Sequence, residues 1–326
     1  MAVDSLGRTT VVGWTASQDF PTTPGAFQTA KGATSFTGFV FRLSTLGEDL
    51  EYSTFLEGML GSKALTVAVA ASGAAIVGGE TSSADFPTTP GAFDTTIGGL
   101  GKDGFLTRLD PSGSFLEWST FLGGFGPDEL YALAIDGQEN ITATGLAGSA
   151  DFPTTPGAFK TGIPYGGDAF VARMDSSGSS LLWSTFLGGD QEDRGFALGL
   201  APDGGVVIGG DTRSFDFPTT PGAFQPTHAP GPVNPWDTFV TRMDPTGSRL
   251  IYSTFLGGDA GDFLGDLVVD ASGMVTAIGS ADSADFPFTT GAFVSNPFGI
   301  FVSRLDPIGS RLFYSGIVGG SQKDTG

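Results

Sequence analysis

One phrase recurs five times in this chain, and that recurrence constrains the fold more than any other feature. Asp-Phe-Pro opens at Asp19, Asp85, Asp151, Asp216 and Asp285, and the first four copies continue as Asp-Phe-Pro-Thr-Thr-Pro-Gly-Ala-Phe. A second phrase trails each copy: Tyr52-Ser-Thr-Phe-Leu, then Trp118-, Trp183- and Tyr252-Ser-Thr-Phe-Leu-Gly-Gly, and a diverged Tyr314-Ser-Gly-Ile-Val-Gly-Gly. A period of about 66 residues marks a repeat architecture, in which one unit cannot enclose its own core. Residues 1–326 therefore read as a single array, with repeats at approximately 1–58, 59–124, 125–189, 190–258 and 259–320.

Spacing separates rigid from variable segments. Phe55 to Asp85, Phe121 to Asp151, Phe186 to Asp216 and Phe255 to Asp285 are each 30 residues. Phe39 to Ser53 is 14 residues, as are Phe105 to Ser119, Phe170 to Ser184, Phe239 to Ser253 and Phe301 to Ser315. An insertion inside paired strands would break register. The variation lies between, from Phe27 to Phe39 and its counterparts, as in a surface loop.

Each repeat reads as four strands. In the third these are Leu130–Ile135, Asn140–Leu146, Phe170–Met174 and Leu181–Leu187. Asp110-Pro-Ser-Gly, Asp175-Ser-Ser-Gly, Asp244-Pro-Thr-Gly and Asp306-Pro-Ile-Gly carry the chemistry of type I turns between the last two strands. Gly7, Gly73, Gly204 and Gly273 mark the turn between the first two. Four antiparallel strands without a helix fit a propeller blade. The expected fold is all-β, a β-propeller of five four-stranded antiparallel blades. Gly319–Gly326 joined to Met1–Asp4 mimics Gly123–Asp136. Two expectations follow: a closed five-bladed ring, or five blades of a larger propeller.

Composition excludes several functions. With no cysteine there is no disulfide and no thiolate metal site. A net charge of −20 repels phosphate backbones and anionic lipid. No apolar run of about 18 residues is present, so no membrane insertion is expected. Met1-Ala-Val-Asp enters the repeat pattern directly, so no secretory signal is expected.

The three phrases Asp-Phe-Pro-Thr-Thr-Pro-Gly-Ala-Phe, Phe-Val-x-Arg-Leu/Met-Asp-Pro-x-Gly-Ser and Tyr/Trp-Ser-Thr-Phe-Leu-Gly-Gly recur in order over the whole chain. In this the chain resembles the bacterial β-propeller repeat family called SBBP. The resemblance implies a seven-bladed propeller in secreted or surface proteins of bacteria, with no catalytic residue to carry over. Five repeats rather than seven depart from it.

Candidate positions follow from the pattern. Arg42, Arg108, Arg173, Arg242 and Arg304 share one place in the third strand, and the five Asp of Asp-Phe-Pro share another. They are expected to form one structural ion pair per blade. Trp118, Trp183, Tyr52, Tyr252 and Tyr314 are expected core aromatics. Thr-Thr-Pro-Gly is a stiff turn whose threonines could take O-glycans. The longest loop, Gln225–Asp237, is stiffened by four prolines and is the candidate recognition loop through His228, Asn234, Trp236 and Asp237. Acids cluster between repeats at Asp128 and Glu129, at Asp190, Glu192 and Asp193, and at Asp259, Asp262 and Asp266. Such oxygen donors could hold Ca²⁺, although no Asp-x-Asp-x-Asp-Gly loop is present. Otherwise no cofactor is expected. One histidine and no cysteine leave no Cys–His or multi-His zinc site.

The expected function is a non-catalytic scaffold or binding module at a bacterial surface or outside the cell. It would act as a monomer unless part of a longer chain, recognising protein or glycan through its variable-loop face and not nucleic acid. A lectin with repeated sugar sites and a glycosidase with paired carboxylates are the alternatives.

Overall fold

The constant modules are strands because both their faces are covered. In the computed structural model, which describes residues 1–99, 101–162, 166–229 and 236–320, the Ser-Thr-Phe-Leu run is buried throughout in the first four repeats. The described residues hold five four-stranded sheets and no helix. The first comprises β1 (Ala2–Val3), β2 (Thr9–Thr15), β3 (Thr37–Leu43) and β4 (Leu50–Leu56). The second comprises β5 (Ser62–Val69), β6 (Ala75–Thr81), β7 (Asp103–Leu109) and β8 (Leu116–Leu122). The third comprises β9 (Asp128–Ile135), β10 (Ile141–Ala147), β11 (Asp168–Met174) and β12 (Leu181–Leu187). The fourth comprises β13 (Asp193–Leu200), β14 (Val206–Thr212), β15 (Asp237–Met243) and β16 (Leu250–Leu256). The fifth comprises β17 (Asp262–Val269), β18 (Val275–Ala281), β19 (Gly299–Leu305) and β20 (Leu312–Val318). Strand order follows chain order in every sheet, so each is an antiparallel meander. These are the blades of a β-propeller.

By contact the chain divides into two units. One is Met1–Ala143 with Ala147–Pro153 and Ala172–Leu182; the other is Thr144–Leu146, Thr154–Val171 and Trp183–Gly326. Within the first unit, β5 packs beside β2 and β9; within the second, β13 packs beside β17. Apolar side chains fill the space between successive sheets. Val40, Tyr52 and Leu56 meet Val77, Phe105 and Phe121 in the first unit. Tyr252 and Leu256 meet Leu264, Phe286 and Phe301 in the second.

The Asp-Phe-Pro phrase is a strap. Its Phe enters the core, with Phe86 4.4 Å from Phe105 and Phe217 4.4 Å from Phe239. The segment beyond runs along the free edge of the fourth strand. Thr23 N donates to Ser53 O at 3.0 Å, and Phe55 N donates to Gln28 O at 2.9 Å. The same bonds recur at Thr89, Thr155 and Thr220; at Thr289 the first recurs and Ile317 N donates to Phe293 O. An uncovered edge would offer those groups to another chain.

The strap then joins the next sheet. Phe27, Phe93, Phe159 and Phe224 donate their N–H to the carbonyls of Gly113, Gly178, Gly247 and Gly309, at 2.8–3.0 Å. Each of these turn glycines has φ between +66° and +73°. A Cβ there would lie 2.3–2.4 Å from the ring of Tyr52, Trp118, Trp183 or Tyr252. Trp118 Nε1 and Trp183 Nε1 donate to Ser176 O at 3.0 Å and Pro245 O at 2.9 Å in the same turns. The recurring aromatic and the recurring turn Gly are thus two halves of one contact. Tyr314, expected in the core, is 41% exposed; among the described residues the turn glycines stack on the other four rings. The first-to-second turn of the third sheet lacks its glycine, and Glu139 takes φ +60° there, with its carboxylate 2.7 Å from Arg108 Nη2.

Gly178→Ala forces a left-handed alanine against the Trp118 ring. The expected loss is at least ~2 kcal/mol of unfolding free energy, measured by urea denaturation.

Candidate functional site

Three pairs of carboxylates converge on the Gly-Gly elbows after the fourth strands. Asp103, Asp168 and Asp237 open the third strands β7, β11 and β15, while Asp128, Asp193 and Asp262 open the next first strands β9, β13 and β17. All six are at most 1% exposed. A Cβ on Gly123 would stand 2.9 Å from both Asp103 Oδ1 and Asp128 Oδ2. One on Gly188 would be 2.8 Å from Asp168 Oδ1 and 2.4 Å from Asp193 Oδ2; one on Gly257 would be 2.1 Å from Asp237 Oδ1 and 3.1 Å from Asp262 Oδ2. The first Gly of each elbow makes room for oxygen atoms.

The first sheet solves the same space differently. Thr37 and Ser62 replace the two aspartates, and Glu57 replaces the glycine. Its carboxylate accepts from Thr34 Oγ1 at 2.9 Å and Thr37 Oγ1 at 2.5 Å.

One member of each pair is well supported. Asp128 Oδ2 accepts from Gly124 N at 2.7 Å and Ser149 Oγ at 2.5 Å. Asp193 and Asp262 do the same with Gly189 and Ser214, and with Gly258 and Ser283. The other member is less so. Asp103 Oδ2 accepts from Gly98 N at 2.9 Å and Asp237 Oδ2 from Ala229 N at 3.1 Å, but the Oδ1 atoms of both are buried without a hydrogen-bond partner.

Burial raises the proton affinity of all six. It pushes Asp103 to about 7; Gly98 N–H pulls back, and Asp128, Asp94 and Asp151 push further. Burial pushes Asp193 to about 7, and Asp128, Asp168 and Asp262 to about 6, with Lys160 restraining Asp168. Asp237, crowded by Asp262 and Asp285, reaches about 8. Asp211 in β14 is pushed by burial to about 7. Chemically, such pockets hold protons or hard cations.

The expected Asp–Arg pairs do not form, because the two rows lie at opposite ends of their sheets. Asp85, Asp151, Asp216 and Asp285 are exposed and accept the N–H groups of Met59, Phe125, Asp190 and Asp259 at 2.8–2.9 Å, and Asp19 is likewise exposed. Arg42 is fully buried, donating to Thr10 Oγ1, Gly73 O and Pro111 O. Arg108 pairs with Glu117 and Glu139, Arg173 with Asp136, Arg242 with Asp203 and Arg304 with Asp270.

The expected recognition loop is also revised. His228 is 7% exposed, its ring 4.6 Å from Phe215 and 5.3 Å from Phe255, with Nδ1 3.6 Å from Asp237 Oδ2. Aromatic packing draws the imidazole inward, and Asp237 is buried at the start of β15. Trp236 is half-buried, with Arg194 and Arg213 over its ring at 5.1 and 5.4 Å. Asn234 lies outside the described residues.

The acids of each connection take different directions. Strand alternation sends Glu129 to Lys102 while Asp128 turns inward; Glu192 pairs with Arg194, and Asp190, Asp259 and Asp266 are exposed. The partners of Asp128, Asp193 and Asp262 were missed, although each stands 25 residues upstream, at Asp103, Asp168 and Asp237. Lys160 and Glu57 at these elbows were missed as well.

Two cavities open where the second strands end and the third begin. One, of about 240 Å³, is lined by Phe36, Leu60, Lys63, Glu80 and Lys102 among others. The other, of about 320 Å³, lies over Gly123, with Phe93, Asp94, Phe125 and Asp151 in its walls.

No protein-family model matches the chain. Over 119 residues it is 28% identical to the regulatory protein FlaEY of Caulobacter vibrioides, a stretch that is 36% of this chain and 11% of that protein. The chain thus matches about a tenth of that relative's length. Among solved structures it is similar to BamB from Moraxella catarrhalis, at 11% identity and a TM-score of 0.38, over 99% of this chain and 77% of that one. It is also similar to a quinohemoprotein alcohol dehydrogenase from Comamonas testosteroni, at 10% identity and a TM-score of 0.47, over 99% of this chain and 52% of that one. Among the described residues no helix is long and apolar enough to cross a membrane.

The pH dependence follows from the raised carboxyls. Asp237 and Asp211 bind a proton more tightly folded than unfolded, so their stabilisation is complete below the ordinary value of 3.8 and is lost as pH rises through about 7 to 8. Asp110, Asp136, Asp175 and Asp244 are lowered, so their contribution is lost only as pH falls below that value. With chelator present, Tm should fall as pH rises from about 5 to about 8. Asp237→Asn should shrink that fall by roughly 2 °C or more, read by calorimetry.

Proposed function

We propose that this chain is a non-catalytic binding module of the SBBP type, at a bacterial surface or outside the cell, that recognises a polypeptide through the face carrying the straps and elbows. The observation that carries this reading is an exposed apolar cluster in the first unit. Met59 is 80% exposed, Leu60 72%, Trp14 47% and Phe36 45%, with the Trp14 and Phe36 rings edge-on at 4.9 Å. Clustered exposed apolar side chains mark interaction sites. Phe36 and Leu60 also line the 240 Å³ cavity, whose far wall alternates Lys63, Glu80 and Lys102.

Exposed Met59 and Leu60 beside alternating charge suit an apolar side chain on a peptide, and Trp14 and Phe36, set edge-on to each other, add aromatic surface. The repeated polar groups support a binding role over turnover, since the paired aspartates are buried, with Asp103, Asp128, Asp193, Asp237 and Asp262 bonded to backbone N–H groups and Asp168 beside Lys160. Partial likeness to a protein described as regulatory agrees with this.

Linear peptides selected from a displayed library on the immobilised whole chain test the reading. Selected peptides should bind Phe36→Ser/Leu60→Ser at least about tenfold more weakly, with the Tm of that variant unchanged and a glycan array silent. Saturable glycan binding, or release of reducing sugar from a polysaccharide panel, would overturn it.

A further inference from the structure

Successive sheets meet through one contact whose parts recur. Val40, Tyr52 and Leu56 share a buried cluster with Phe86, Phe105 and Leu109 of the next sheet. Val171, Trp183 and Leu187 do so with Phe217, Phe239 and Met243, and Val240, Tyr252 and Leu256 with Phe286, Phe301 and Leu305. None of these side chains is more than 6% exposed. An arginine spans the same contact: Arg42 Nη1 donates to Pro111 O at 3.2 Å, and Arg242 Nη1 to Pro307 O at 3.0 Å.

Each half of that contact occurs once more, uncovered. On the fifth sheet Val302, Tyr314 and Val318 are the counterparts of Val40, Tyr52 and Leu56. Val302 is half-buried, Tyr314 is 41% exposed and Val318 55%. Arg304 turns to Asp270 and Thr276 of its own sheet. Phe293, which closes the fifth strap, is 70% exposed, while Phe27, Phe93, Phe159 and Phe224 are half-buried. On the first sheet the counterparts of Phe86, Phe105 and Leu109 are Phe20, Phe39 and Leu43, all half-buried. The Phe20 and Phe39 rings stack at 4.4 Å and those of Phe39 and Phe41 at 5.8 Å, so this face is already assembled. Its turn glycine is Gly47, at φ +72°. Nothing lies within 4 Å of the place of its Cβ, and among the described residues no strap N–H reaches its carbonyl. Strand alternation shows the same division, since alternate residues face one side. β7 is buried at every position, whereas β3 is half-buried at Phe39, Phe41 and Leu43, and β19 at Ile300, Val302 and Arg304.

We propose that the fifth sheet of one copy of this chain docks on the first sheet of a second copy, remaking the contact that links successive sheets. Val302, Tyr314 and Val318 cover Phe20, Phe39 and Leu43. The Tyr314 ring lies on Gly47, the Phe293 N–H reaches the Gly47 carbonyl, and Arg304 reaches the Thr45 carbonyl, the counterpart of Pro111 O. The faces themselves name the occupant. Each displays the half that the other lacks, and the chain joins those same halves within itself in three buried clusters. A partner without a glycine in its turn would set a Cβ against the ring, as at Gly113, Gly178, Gly247 and Gly309. Because the two faces differ, the association is heterologous and runs head to tail. The surface is separate from the cluster of Met59, Leu60, Trp14 and Phe36.

Sedimentation velocity of the whole chain from about 1 µM to about 100 µM tests the proposal. The mass should rise in whole multiples of one chain, and rise further with added salt, which screens the net charge of −20 on each copy. Tyr314→Ser and Gly47→Asn should each weaken association at least about tenfold. Both should keep the native Tm, because Tyr314 is exposed and asparagine tolerates the left-handed backbone of Gly47. Mixed together, the two variants should form a dimer and nothing larger, since one keeps the first sheet's face intact and the other the fifth's. The substitutions stand on different sheets, so either decides the matter should the other not fold. A one-chain mass over the whole range, variants that associate like the native chain, or a mixture of the two that stays at one-chain mass would overturn the proposal.

Discussion

The hydrogen bonds between each strap and the edge of its fourth strand hold the architecture together. A meander of four strands ends in a row of unpaired N–H and C=O groups, which either find a partner within the chain or seek one outside it. Here the segment after Asp-Phe-Pro supplies the partner in all five repeats. That demand explains why the phrase is kept where loops ordinarily drift. Pro fixes the approach, Phe anchors in the core, the second Thr bonds the Ser carbonyl, and the closing Phe reaches the next turn.

A second contact depends on the first. Because the strap bonds the carbonyl of the turn glycine, that glycine is pressed onto the aromatic ring of the preceding sheet. The ring needs a flat neighbour without Cβ, and the turn needs a residue at positive φ. Glycine meets both demands, and the indole N–H of Trp118 or Trp183 adds a hydrogen bond that tyrosine at this place does not make.

Much of this was legible in the amino-acid sequence. Constant intervals located the strands, because paired strands tolerate no insertion, and the Asp-Pro-x-Gly turns fell where their chemistry required. Depth was less legible. Repetition tells which residues are equivalent, not which end of a sheet they occupy, so Asp85 and Arg108 read as partners although they sit at opposite ends. Proline-rich surroundings made His228 and Asp237 look exposed, yet aromatic packing and the strand start bury both. The constant interval from Asp103 to Asp128 and its counterparts carried the signal of the buried pairs, but two acids 25 residues apart announce themselves only once the strands are drawn.

The joint between sheets has a consequence for how such a chain can change length. Each of the first four straps addresses only the turn one period ahead, and it finds there the same glycine carbonyl whichever sheet presents it. A segment cut or duplicated between equivalent points therefore leaves every joint with a matching mate, while an insertion of any other size strands one strap and orphans one turn. Growth by whole modules is built into the chemistry of a single carbonyl.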